Sequence, residues 1–104
     1  MINQKLVEII NEEVEFQKSQ NQKLGEKYRK QAKYHTKLVE KLAKKVAKYP
    51  HYALPILEAH IQKEEPIFSV ELDVPELTLY EEGRIYSLVR CKHMIRIANE
   101  RVGA

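Results

Sequence analysis

The chain has no tryptophan, one cysteine and three glycines among its 104 residues. Each shortage excludes something. A single thiol, Cys91, cannot close an internal disulfide, and there is no Cys-x-x-Cys pair to clasp a metal, so the expected setting is the reducing cytoplasm. The three glycines, Gly25, Gly83 and Gly103, form no phosphate-cradling pattern. Neither GxGxxG nor the P-loop pattern occurs, and GxSxG and HExxH are missing too. No apolar run approaches the ~20 residues that span a bilayer, so no membrane association is expected. The opening stretch "MINQKLVEIINEEVEF" is acidic and interrupted by polar residues, unlike a signal or transit peptide. There is no internal repeat, no low-complexity segment and no motif that carries a resemblance to a known family.

What the sequence has in quantity is charge. Eighteen Lys and Arg against fifteen Asp and Glu give a net charge of +3, with 32% charged and 43% hydrophobic residues. That balance and length describe one globular domain over 1–104, not a disordered chain. The small net charge hides a segregation by sign: residues 1–16 sum to −3, 23–48 to +8, 58–82 to −7 and 84–104 to +4. Alternating blocks imply either pairing between antiparallel elements or separate partner-facing surfaces. Lys outnumbers Arg 13 to 5, and Ile, Asn, Glu and Tyr are frequent. An AT-rich coding genome produces that bias, which points to a low-GC bacterium or one of its mobile elements or phages.

Hydrophobic spacing places the elements. Ile2, Leu6, Ile9, Ile10 and Val14 predict a helix over 3–17. Residues 17–23, "QKSQNQK", contain nothing apolar and are either a turn or the polar waist of a longer helix, with Gly25 favouring a bend. Tyr28, Ala32, His35, Val39, Leu42, Val46 and Tyr49 then repeat at steps of four and three, a heptad-like seam along one long helix that Pro50 ends. A third helix is predicted over 52–64, with Pro55 in its first turn and Pro66 as a stop. Residues 67–75 alternate and read as a short strand or extended connector.

Two readings compete for the C-terminal part. In one, Thr78 caps a long helix, Glu81 completes a capping box, and Leu88, Cys91, Ile95, Ala98 and Val102 form its buried stripe. In the other, residues 77–90 form a β-hairpin with Gly83 in the left-handed position of a three-residue loop. The expected fold is therefore mainly α, a small helical bundle with a long basic helix and one short extended segment. The alternative is α+β with a three-stranded antiparallel sheet from 67–90.

On a helical wheel, Lys23, Lys27, Lys30, Lys33, Lys37, Lys41, Lys44, Lys45 and Lys48 fall in one arc of about 120° opposite the seam, with Tyr34 among them. Only Glu26 and Glu40 interrupt it. Lysines are hydrated point charges suited to a phosphate backbone, and Tyr34 offers a ring on which a base of a single strand can stack. The plainer reading is a solvated face, or one that docks on Glu58, Glu64, Glu65, Glu71, Asp73, Glu76, Glu81 and Glu82. That acidic run could itself imitate phosphates, but apolar residues break it, and it reads more simply as a helix end and connector.

The last helix has a second apolar stripe, Tyr86, Val89, His93 and Ile97. Two apolar sides suggest a sandwiched or subunit-facing helix, hence a homo-oligomer. Arg90 and Arg96 on it join the candidate partner or nucleic-acid surface. His60 and Glu64 at i,i+4 supply only two metal ligands, and Cys91 and His93 at i,i+2 face apart, so no metal, cofactor or catalytic site is expected. The function expected is a small non-enzymatic regulatory or inhibitory protein acting through protein–protein contacts. The alternative is a nucleic-acid-binding accessory protein that uses the lysine ridge.

Overall fold

A computed structural model describes residues 1–68 and 79–103, with every side chain among them except those of Lys27, Ile67, Phe68, Leu79 and Tyr80. Its helices are α1 (Ile2–Asn21), α2 (Glu26–Lys48), α3 (Ala53–Phe68) and α4 (Leu79–Gly103), with one 3₁₀ turn, Pro50–Tyr52, between α2 and α3. No strand occurs among the described residues, and the protein is mainly α. None of the described helices is long and apolar enough to cross a membrane.

Helices α1 and α2 form an antiparallel hairpin. The α1 helix runs four residues beyond its predicted end because Gln17 is buried and Asn21 donates across to Thr36 Oγ1 at 2.8 Å. The polar stretch thus faces a partner helix as well as water. A tight turn follows, with Lys23 N–H on the Gln20 carbonyl and Arg29 Nε on the Leu24 carbonyl at 2.8 Å. Gly25 takes the extended N-cap conformation of α2 (φ −67°, ψ 165°). Lys23 therefore lies in the turn and not on the helical ridge, a correction to the wheel.

The seam of α2 buries Ala32, His35, Val39, Leu42 and Val46 as expected. Its two ends differ from expectation. Tyr28 is 57% exposed because it borders a pocket instead of a packed helix face. Tyr49 is the C-cap residue at φ −129°, ψ 67°, so the helical periodicity no longer applies to it.

Helix α3 starts at Ala53, putting Pro55 in its first turn, where a missing N–H costs little. Its Leu54 N–H, an orphan donor of that turn, is satisfied from α1 by Asn3 Oδ1 at 2.9 Å. Pro66 does not stop α3, which continues to Phe68. A proline there removes one backbone bond, from the carbonyl of the exposed residue Gln62, which water can satisfy. The expectation of an extended 67–75 stretch fails at Ile67 and Phe68, and its remainder lies outside the described residues.

Residues 79–90 are the first half of α4, which rules out a hairpin strand there. Thr78 and its expected cap lie outside the described residues, as does the rest of the alternative sheet. Gly83 serves close helix packing, not a left-handed turn. A Cβ added there would sit 2.7 Å from Tyr34 Cβ and 3.2 Å from both the Gln31 carbonyl oxygen and the His35 nitrogen. Absence of a side chain lets α4 lie against the α2 backbone.

The core joins Leu6, Ile9, Ile10 and Val14 of α1 with Val39, Leu42 and Val46 of α2, Ala53 and Leu57 of α3, and Cys91, Met94 and Ala98 of α4. On α4 the predicted inner stripe holds at Leu88, Cys91 and Ala98, joined by Ser87 and Met94. The second stripe is not sandwiched within the chain: Val89 is 56% exposed and Tyr86 is exposed, because the inner face of α4 already meets α1, α2 and α3.

Candidate functional site

The outer face of α2 carries the ridge. Lys30, Lys33, Lys37, Lys41, Lys44, Lys45 and Lys48 are all exposed, as is Tyr34. Lys27 belongs to the same helix by backbone position. From Lys30 to Lys48 the ridge runs about 27 Å at ~1.5 Å per residue. Among the described residues, none of Lys30, Lys33, Lys37, Lys41, Lys44 and Lys45 forms an ion pair, while Lys48 lies over the Tyr49 ring at 5.4 Å.

Three carboxylates that might have neutralised the ridge, Glu40, Glu64 and Glu65, are engaged elsewhere. Glu40 faces Lys18 of α1 at 3.8 Å. Glu64, buried on α3, accepts both Nε (3.2 Å) and Nη2 (2.6 Å) of Arg84. Glu65 pairs with Lys92, and Glu12 with Arg101 at 3.4 Å. Arg84, Arg90, Lys92 and Arg101 of α4 thus take up acidic residues of α1 and α3, and Lys30, Lys33, Lys37, Lys41, Lys44 and Lys45 of α2 are left facing solvent. Glu71, Asp73 and Glu76 of the expected acidic partner lie outside the described residues.

Arg90 is a partly buried member of this pairing. Its Nε and Nη2 donate to Glu13 Oε1 and Oε2 at 2.5 and 2.6 Å, a bidentate fork, and its guanidinium lies 5.4 Å from the Phe16 ring centre. Both of those donors are committed to Glu13, although the side chain remains 23% exposed. Arg96 is exposed on α4, its Nη2 at 2.8 Å from His93 Nδ1. Both arginines belong to α4.

Sequence reasoning missed Lys63. A cleft of about 260 Å³ between α2 and α3 is lined by Lys41 and Lys45 on one wall and by His60, Lys63 and Glu64 on the other. His60 Nε2 is buried there with no hydrogen-bond partner among the described residues. Burial pushes the ring below the usual histidine range, with Glu64 pulling the other way. The ridge therefore widens onto α3 midway along its length.

It also missed a buried polar chain beneath the α1–α2 hairpin. Burial alone would raise the Glu13 carboxyl, but hydrogen bonds from Arg90 and Gln17 and the Arg90 charge outweigh it and hold the group below the ordinary carboxylate range. Gln17 Nε2 donates to Glu13 Oε1 at 3.0 Å, and Gln17 Oε1 accepts from His35 Nδ1 at 2.9 Å and from the Thr36 hydroxyl at 3.1 Å. His35 is pushed down to about 4, chiefly by burial, against the pull of Glu13. Its ring stands 4.3 Å from that of Tyr86, tilted by 39°. A signal for this chain was present: Glu13, Gln17, His35 and Thr36 occupy apolar-face positions of their helices.

Cys91 is buried and its thiol is pushed up to about 12 by desolvation, so it stays protonated and unreactive at neutral pH. No group of three His, Cys, Asp or Glu residues that could hold a metal occurs among the described residues. Comparison with known proteins returned no match among family models, curated proteins or solved structures.

Proposed function

We propose that this chain is a non-enzymatic regulatory binding protein that grips nucleic acid by its phosphate backbone through the outer face of α2. The observation that carries the reading is the uncompensated ridge: six lysines on one helix face have no ion pair among the described residues, while Lys18, Arg84, Arg90, Lys92 and Arg101 all pair with carboxylates. Internal docking of the ridge was the simplest alternative, and the engagement of Glu40, Glu64 and Glu65 elsewhere argues against it. Seven flexible point charges over about 27 Å suit a repeating phosphate lattice, which presents one charge per ~3.4 Å of rise on each strand. Lys63 adds a charge across the α2–α3 cleft from Lys41 and Lys45. The described cationic side chains of this face are lysines, and the Arg29 fork beside it is held on the Leu24 carbonyl, so binding has little sequence preference.

The test is fluorescence anisotropy with generic DNA and RNA between 50 and 200 mM salt. About five phosphate contacts give a log–log slope of about −4.5, hence a loss on the order of several hundred-fold over that range. Charge reversal at Lys30, Lys37 and Lys44 abolishes the binding and flattens the slope. No binding at 50 mM salt, or binding unchanged by the reversal, overturns the reading. An acidic protein held by the wild-type ridge but not by the reversed one would then reassign the surface to protein–protein contacts.

A further inference from the structure

Among the described clefts, the one at the junction of α1, α2 and α4 differs in chemistry from the rest. It encloses about 310 Å³, and none of its nine lining residues carries a formal charge, although 32% of the chain is charged. The other clefts all include Lys, Glu or both. Its walls are the exposed rings of Phe16, Tyr28 and Tyr86, with the side-chain amides of Gln31 and Asn21, and His35 lines its base. A phosphate, a carboxylate or a cation finds no counter-charge in such a pocket. A flat neutral ring with polar edges finds faces to stack on and groups to hydrogen-bond.

The buried chain fixes what His35 offers. Arg90 keeps Glu13 ionised, and an ionised carboxylate only accepts hydrogen bonds, so Gln17 must turn its NH2 towards it. The Gln17 carbonyl then faces His35, which obliges Nδ1 to carry the ring proton. The lone pair is left on Nε2, which has no partner among the described residues, and the Tyr86 ring holds the imidazole in place. The base of the pocket is a positioned acceptor for an N–H donor. Every nucleobase presents at least one N–H on its edge.

The location supplies the occupant. Tyr28, Gln31 and His35 of the pocket share the same turns of α2 with Lys30, Lys33 and Lys37 of the ridge, on the other side of that helix. The two surfaces are thus separated by no more than the width of one helix, ~10–12 Å with side chains. We infer that the pocket is a base subsite: one unstacked nucleobase of a single strand whose backbone lies on the ridge inserts there, its ring against Tyr28, Phe16 and Tyr86 and an N–H of its edge on His35 Nε2. This deepens the nucleic-acid reading, rests on it for the strand, and makes single strands the preferred ligand. Because all bases stack and all carry the donor, the subsite tolerates any sequence.

The experiment compares a 15-nucleotide labelled single strand, the duplex of the same sequence and an abasic strand of the same length, at one salt concentration. The single strand binds most tightly. Tyr28→Ala, at an exposed position, weakens single-strand binding by about tenfold and leaves duplex binding and the salt slope unchanged. The abasic strand binds wild type and variant alike. If Tyr28→Ala leaves single-strand affinity intact, or weakens duplex equally, the subsite is overturned while the ridge stands. Adenosine, which has no phosphate, probes the pocket without the ridge. In NMR titration it shifts the His35 and Tyr86 ring protons, equally in the wild type and in the Lys30, Lys37, Lys44 reversal. Absence of those shifts overturns the subsite whatever the strands do.

Discussion

Replacing Arg90 with Met removes the partner of Glu13 and keeps the aliphatic bulk. Glu13 is 6% exposed and the Arg90 side chain 23%. The substitution deletes two charge-assisted hydrogen bonds of 2.5 and 2.6 Å and leaves the carboxylate with a single donor, Gln17. Breaking a buried pair from one side costs about 3–5 kcal/mol, and the partial exposure of Arg90 places this case at the lower end, about 3 kcal/mol at pH 7. For a domain of this size that lowers Tm by roughly 15 °C. The pH dependence separates this from lost packing. In the wild type the Glu13 carboxyl is held below its usual 4.5, so its contribution is complete above that value and fades as pH falls through the folded pKa. In the variant burial is opposed chiefly by the Gln17 hydrogen bond and the folded pKa rises, so the penalty is present at pH 7 and is relieved as pH falls through the raised value. The difference between the two proteins therefore shrinks from pH 7 towards pH 4. Urea unfolding followed by far-ultraviolet circular dichroism at four pH values reads it. Glu13→Gln added to Arg90→Met recovers part of the loss, since no charge is then left buried. A pH-independent difference, or a double variant that loses the sum of both singles, would refute the ion-pair account.

Gly83→Ala separates helix propensity from helix packing. Propensity alone predicts a gain of ~1 kcal/mol, whereas a Cβ 2.7 Å from Tyr34 Cβ forces α2 and α4 apart at a cost of ~1–3 kcal/mol. A lowered Tm is expected, and a raised one would show that the helices do not approach so closely. His35 contributes an acid-sensitive step. Its folded value of about 4 lies below the ordinary 6.5, so the unfolded chain takes up the proton first and stability falls between pH 6.5 and 4, by about 3 kcal/mol. His35→Gln flattens that part of the stability curve apart from a residual slope from His60, which shifts in the same direction. An unaltered slope would show that His35 is solvated.

The helical class and the α2 seam were legible because Ala32, Val39, Leu42 and Val46 repeat at the helical period and each of them is buried. The lysine ridge was legible for the same reason, as the complement of that seam. Gln17 was not, because a polar residue inside a polar stretch has no hydropathic signature, and its burial depends on a hydrogen-bonding partner 18 residues away. Arg90 read as a surface cation because its partner lies 77 residues off in sequence. Gly83 fitted both a hairpin loop and a helix crossing. Only the position of the α2 backbone decides between them, and local propensity carries no information about that. The pocket escaped notice since Phe16, Tyr28 and Tyr86 come from three elements, and each alone looks like ordinary core.

The pairing of α4 with α1 also sets an order of events during synthesis. Glu12 and Glu13 wait for Arg101 and Arg90, 89 and 77 residues later, so the α1–α2 hairpin emerges from the ribosome with a carboxylate turned towards a missing neighbour. Its apolar stripe then lacks the cover that Cys91, Met94 and Ala98 of α4 provide. Native structure in this protein is sealed from the far end: the last helix closes the interior that the first one opens.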